Sequence, residues 1–160
     1  MDWSNVIKVF RKALLAGYAS QESGGSNRMV INELPGSKIT KYEDKELGLV
    51  VVDHWYTTSH SDFSFGTATV SDEKGVIWML QYRGWYTQPA IPFLKEALAH
   101  CDGVSRFSGR GPIYFTKGKL QYFNLITFDD GDRQFSGREE VRSEGHSWGW
   151  HEYNAMRTSA

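Results

Sequence analysis

Residues 49–85, LVVVDHWYTTSHSDFSFGTATVSDEKGVIWMLQYRGW, have an imperfect second copy 71 positions further on, LQYFNLITFDDGDRQFSGREEVRSEGHSWGWHEYNAM at 120–156. The shift carries Gly66 onto Gly137, Val70 onto Val141, Glu73 onto Glu144 and Tyr82 onto Tyr153, and sets Asp53 against Asn124 and Leu49 against Leu120. Internal similarity comes first because one missed repeat misassigns a whole fold. A helical pattern precedes each copy, FRKALLAG at 10–17 and FLKEALAH at 93–100.

Working outward, runs rich in Val, Thr, Tyr, Phe and Trp between 39 and 85 are cut near Lys45, at 58–61 and at 72–75, which predicts four strands. The second set is predicted at 113–116, 119–128, 133–142 and 148–156, separated by Lys117-Gly118, Asp129-Asp130-Gly131 and Glu144-Gly145. Trp3, Val6, Ile7, Phe10, Ala13, Leu14 and Gly17 keep the stripe of an amphipathic helix, with Lys8, Arg11 and Lys12 opposite. Pro89 and Pro92 fit the first turn of a second helix, whose stripe is Ile91, Leu94, Leu98 and Cys101. Polar connections are read at 20–27 and 104–112, and a frayed tail after Met156. The expected class is α+β: two quasi-repeats, about 3–86 and 89–156, each one helix followed by a four-stranded antiparallel meander. Together they form a curved antiparallel sheet with two helices, in one domain spanning 1–160.

Charge narrows the partners. Lys and Arg number 18 against 19 Asp and Glu, so no global positive field draws in nucleic acid or anionic lipid. Cys101 is the single cysteine and no Asn-x-Ser/Thr acceptor occurs, so nothing argues for secretion. The N-terminal stretch is amphipathic rather than signal-like, and no run of about 18 apolar residues is present. A cytoplasmic protein without membrane attachment is expected.

Aromatics make up 14% of the chain, and the strands carry them on both parities. Val50, Val52, His54 and Tyr56 alternate with Leu49, Val51, Asp53 and Trp55, so both sheet faces read as largely apolar. Eight strands span about 38 Å while two helices cover about 20 Å of one face. The remainder calls for the sheet curling over, a second subunit, or a ligand in an aromatic-lined cleft. The candidate ligand-binding set is therefore Trp55, Trp78, Tyr82, Trp148, Trp150 and Tyr153, with Arg83, His54 and Glu140 to orient polar groups.

Catalytic signals are sparse. Asp53 sits mid-strand among valines, where desolvation raises a carboxyl and suits it to acid–base work. Its neighbour His54 points to the opposite face, so an enzymatic alternative, a small hydrolase or isomerase, needs Asp53 paired with His151 across strands. His54, His60, His146 and His151 lack the i, i+4 spacing of a zinc helix and no Cys-x-x-Cys accompanies them, so neither metal nor cofactor is expected. Gly109-Arg110-Gly111-Pro112 reads as a short turn and not a phosphate cradle, because proline lacks an amide. Single-stranded nucleic acid stacking on the aromatics is a third alternative, and needs a basic groove that the net charge does not promise.

The frame Phe65-Gly66, Val70, Gly75, Trp78, Tyr82, Gly84 recurs in part as Phe135, Gly137, Glu139, Glu140, Val141 and Tyr153. With the leading FRKALLAGYA and the central FLKEAL, it resembles a bacterial family of uncharacterised domains found alone or fused behind a DNA-binding helix-turn-helix. The resemblance spans most of the chain and implies a cytoplasmic bacterial protein that senses or dimerises; it brings no catalytic residue. Thr67-Ala68-Thr69 stands where the resemblance leads one to expect an acid, and no helix-turn-helix is expected ahead of the domain, so direct DNA binding is not part of what the resemblance implies. The functional expectation is a non-catalytic module binding a small molecule or a protein, as a homodimer.

Overall fold

The computed structural model describes residues 2–19, 28–101, 110–131 and 133–158. The connections expected at 20–27 and 104–109, and the last two residues of the tail, lie outside the described residues. Helix α1 spans Trp3–Ala16 and starts because Asp2 accepts a hydrogen bond from the Ser4 amide at 3.0 Å, satisfying one of the orphan donors of its first turn. The strands follow as β1 Arg28–Met29, β2 Ser37–Asp44, β3 Leu49–Thr57, β4 Phe63–Asp72 and β5 Gly75–Tyr86. A 3₁₀ turn at Gln88–Ala90 leads into α2, Ile91–Ala99, with Pro89 and Pro92 at its start where no amide is missed. The rest is β6 Tyr114–Lys117, β7 Leu120–Asp129, β8 Gln134–Ser143 and β9 His146–Arg157.

All nine strands form one antiparallel sheet in the order β1-β2-β3-β4-β5-β9-β8-β7-β6. The class is thus α+β with two helices, as expected. The two-residue β1 had no signal in the sequence; it pairs only Arg28 with Thr40 and Met29 with Ile39. The 12-residue strands β5 and β9 lie at the centre, and the edges are the shortest strands, β1 and β6. Short edges limit the unpaired backbone a sheet offers to other chains.

Both helices pack on one face. Val6, Val9 and Phe10 of α1 bury against Leu49, Val51, Trp55, Val70, Trp78 and Leu80. Leu94 and Leu98 of α2 bury separately, with Tyr86, Tyr122 and Val141. The core is therefore two apolar patches with a seam between them, one under α1 and the other under α2, the second also taking in Leu14 from the last turn of α1. Alternation holds along the central strands: Trp78, Leu80, Tyr82 and Tyr86 point to the helices, whereas Gln81 and Arg83 point to the opposite face, which carries no helix.

Candidate functional site

The seam begins at the middle of the sheet, where Tyr82 of β5 and Tyr153 of β9 stand opposite each other in register. Each ring lies across a glycine of the neighbouring strand, Gly66 or Gly137, and reaches the strand beyond. The Tyr82 hydroxyl donates to Asp53 Oδ1 at 2.7 Å, and the Tyr153 hydroxyl donates to Asn124 Oδ1 at 2.5 Å.

The two acceptors then do different things. Asn124 also donates from Nδ2 to the Gly111 carbonyl at 3.1 Å, while its backbone amide donates to the Ile113 carbonyl at 2.9 Å. These bonds fix the chain just past Arg110. An Asp at this position has no donor for the Gly111 oxygen and sets a second acceptor against it. Asn124→Asp is accordingly expected to destabilise the fold by about 1–3 kcal/mol, the cost of a buried polar atom left unmatched. Urea denaturation measures this, and an unchanged midpoint excludes the arrangement.

Arg110 occupies the seam. Its side chain is 4% exposed, with Nη1 3.4 Å from Oε1 of Glu139, which is 0% exposed. The same nitrogen lies 3.1 Å from His151 Nδ1. A guanidinium only donates, so Nδ1 accepts and the imidazole carries its proton on Nε2, placed 3.1 Å from Ser64 Oγ. Tyr122 donates to Glu139 Oε2 at 2.8 Å. Among the described residues Glu139 Oε1 and the Tyr86 hydroxyl are buried without a hydrogen-bond partner. The guanidinium also lies 4.6 Å from the Tyr82 ring centre and 5.4 Å from that of Tyr18, just past α1.

These surroundings set the protonation states. Burial opposes the charge on Glu139, but Arg110, helped by the Tyr122 hydroxyl, outweighs it and holds the carboxyl below its usual range. Burial lowers the His151 pKa, and Arg110 adds to this against the pull of Glu139. Burial raises Asp53, outweighing the Tyr82 hydrogen bond and the attraction of Arg110. A histidine with a depressed folded pKa takes up its proton less readily when folded. Stability is therefore full above the unfolded value of 6.5 and falls as pH drops below it. Asp53, raised from 3.8, acts with the opposite sign over the acidic range. His151→Gln keeps an acceptor for Arg110 and a donor for Ser64. Between pH 7 and 5 its stability should fall less steeply than that of the parent, by up to about 1.4 kcal/mol per pH unit. Parallel profiles in chemical denaturation would exclude a neutral buried imidazole.

Two clefts open onto this seam. One, of about 80 Å³, lies between α1 and the sheet, bounded by Phe10, Leu14, Tyr18, Asp53, Tyr82 and Arg110. The other, of about 330 Å³, lies between the start of α2 and the ends of β3–β5, with Trp55, Tyr86, Lys95 and His151 in its wall. Tyr18, Tyr82 and Arg110 belong to both.

The nominated residues do not line one surface. Trp55, Trp78, Tyr82 and Tyr153 are buried on the helix side, as is His151. His54, Arg83, Glu140 and Trp150 lie on the opposite side, because strand side chains alternate and the nominated set mixed both parities. There Arg83 pairs with Glu152 at 3.4 Å, Arg138 lies 4.3 Å from the Trp150 ring centre, and Glu140 pairs with Arg142 at 2.8 Å. Trp148 is skipped in the pairing of β8 with β9, at a bulge, and packs partly against the α2 patch. Asp53 and His151 share the helix side but no hydrogen bond. Tyr82 stands between them, its hydroxyl on Asp53 and its ring centre 5.5 Å from that of His151. The acid–base pair that an enzymatic reading requires is not joined.

Arg110, Tyr18, Tyr86 and Tyr122 escaped nomination. Glu139 had a signal: it sits between Gly137 and Val141 on the buried parity of β8, where a charge demands a partner. No protein family, curated protein or solved structure matches the chain, so its own geometry carries the functional reading. Among the described residues no helix is long and apolar enough to cross a membrane.

Proposed function

We propose that this chain is a non-catalytic binding module that takes a small organic molecule into the seam between its helices and its sheet. The observation that carries the reading is Arg110: a cation with 4% exposure that lines two adjoining clefts under a roof of aromatic rings. Pockets with few convergent polar groups on aromatic walls are where ligands find both affinity and orientation. In this reading the halves are quasi-repeats. The bonds Tyr82 to Asp53 and Tyr153 to Asn124 recur at the 71-residue spacing; the first half turns its carboxyl toward the cleft, and the second uses its amide to hold the Arg110 segment. A sensing role of the kind seen beside helix-turn-helix domains fits such a site, as does a cytoplasmic setting.

A thermal-shift screen of metabolites and nucleotides tests it. A ligand at about 100 times its Kd stabilises by about 2.7 kcal/mol, readily seen as a rise in Tm. The same ligand should leave the double variant Arg110→Met/Glu139→Leu unshifted. A blank screen, or a shift that survives in the double variant, defeats the reading.

The helix-free face supports a second role, association with another copy or a partner protein. Phe65 and Leu125 flank a groove of about 680 Å³ there while 58% and 65% exposed. Homodimerisation predicts a doubled mass in sedimentation that Phe65→Asp returns to the monomer; a monomer at all concentrations excludes it.

A further inference from the structure

Resting on the cleft reading, the geometry points to a flat organic anion as the ligand of the larger cleft, its negative group set between Arg110 and Lys95. The wall of the 330 Å³ cleft carries three cations, Lys38, Lys95 and Arg110, against one acid, Asp62. His151 adds no charge there, since its Nδ1 is occupied as an acceptor from Arg110. Glu139, which balances Arg110, borders neither cleft and leaves the guanidinium as the charge that a ligand meets.

The aromatic walls decide against a cation. Tyrosine rings around a cavity suit a positive ligand only while their faces are free. Here the Tyr18 ring already has Arg110 5.4 Å and Lys95 Nζ 5.7 Å from its centre. A third positive charge would be repelled by both, whereas an anion is drawn to the same two groups. Lys95 makes no ion pair among the described residues, so its charge is available. Hydroxyls of Thr57, Ser61 and Ser64 add donors suited to a carboxylate or a phosphate. A volume of 330 Å³ sits at the small end of ligand pockets, and fits one or two rings.

Four probes with a common phenyl ring test this on the full chain: phenylacetate, phenyl phosphate, 2-phenylethanol and 2-phenylethylamine, titrated by calorimetry. At least one anion should bind about tenfold tighter than the alcohol and the amine. Lys95→Gln should cost that anion about three- to fivefold in affinity and leave the alcohol unchanged. Which anion prevails separates a carboxylate ligand from a phosphate ester. Equal or tighter binding of the alcohol or amine overturns the anion inference while leaving the cleft in place. An anion whose affinity ignores Lys95→Gln overturns its placement. Failure of all four overturns the inference, and a blank metabolite screen beside it removes the cleft reading as well.

Discussion

Glu139→Gln should cost about 3–5 kcal/mol of folding free energy, seen as a large fall in the urea midpoint at neutral pH. The substitution keeps the shape of the side chain and an oxygen for the Tyr122 hydroxyl, so packing hardly changes. What disappears is the only carboxylate within 4.0 Å of the Arg110 guanidinium among the described residues. Arginine cannot discharge itself by losing a proton, so the folded state would hold an uncompensated cation among Tyr82, Tyr18 and His151. The double variant Arg110→Met/Glu139→Leu removes both charges and should regain most of the loss, because a buried ion pair contributes little net stability over apolar residues of similar volume. Tyr122 then lacks its acceptor, so recovery stays incomplete by about 1–3 kcal/mol. A small effect of Glu139→Gln would mean that water reaches the pair. A double variant as unstable as the single would mean that the pair's hydrogen bonds, rather than its charge balance, organise the seam.

This pair also marks where sequence reading stops. The alternation of strands sorted residues into two sets, with Trp78, Leu80 and Tyr82 on one side and Arg83 on the other as a period of two requires, but with both faces reading as largely apolar it did not tell which set meets the helices. The turns at 45–48 and 72–75 were legible, since Asp, Gly and Lys interrupt apolar runs there. Arg110 was not. It follows a loop and belongs to no periodic pattern, so only the spatial convergence of β3, β5, β8 and β9 assigns it to the site. The spread of the expected binding set over both faces has a related cause. Aromatic content counts residues without regard to face, and the central sheet sends Tyr82 and Trp78 to the helices but Trp150 to the helix-free side. Area arithmetic correctly implied that two helices leave part of the sheet uncovered. It did not show which part, because that depends on where each helix lands.

The seam has one further requirement, and it concerns atoms that are absent. Gly137→Ala and Gly66→Ala should each cost about 3 kcal/mol or more, at the upper end of what overpacking does. A Cβ at Gly66 would stand 2.6 Å from Tyr82 Cζ and 2.7 Å from the His54 carbonyl oxygen; at Gly137 it would meet the Tyr153 hydroxyl and lie 2.6 Å from the Leu125 carbonyl oxygen. A ring can swing away, but a carbonyl in the adjacent strand moves only if the ladder moves with it. The two substitutions resemble each other in stability yet should part in function. Gly66→Ala pushes Tyr82 off Asp53 and away from the Arg110 guanidinium, directly in the cleft wall. Gly137→Ala pushes Tyr153 off Asn124 and reaches Arg110 only through the Gly111 carbonyl. Compared at a temperature where both variants remain folded, ligand stabilisation should thus be lost in Gly66→Ala and only weakened in Gly137→Ala. Equal retention in both would separate the tyrosine–glycine stacking from binding altogether, leaving it as a device that sets the spacing of the central strands.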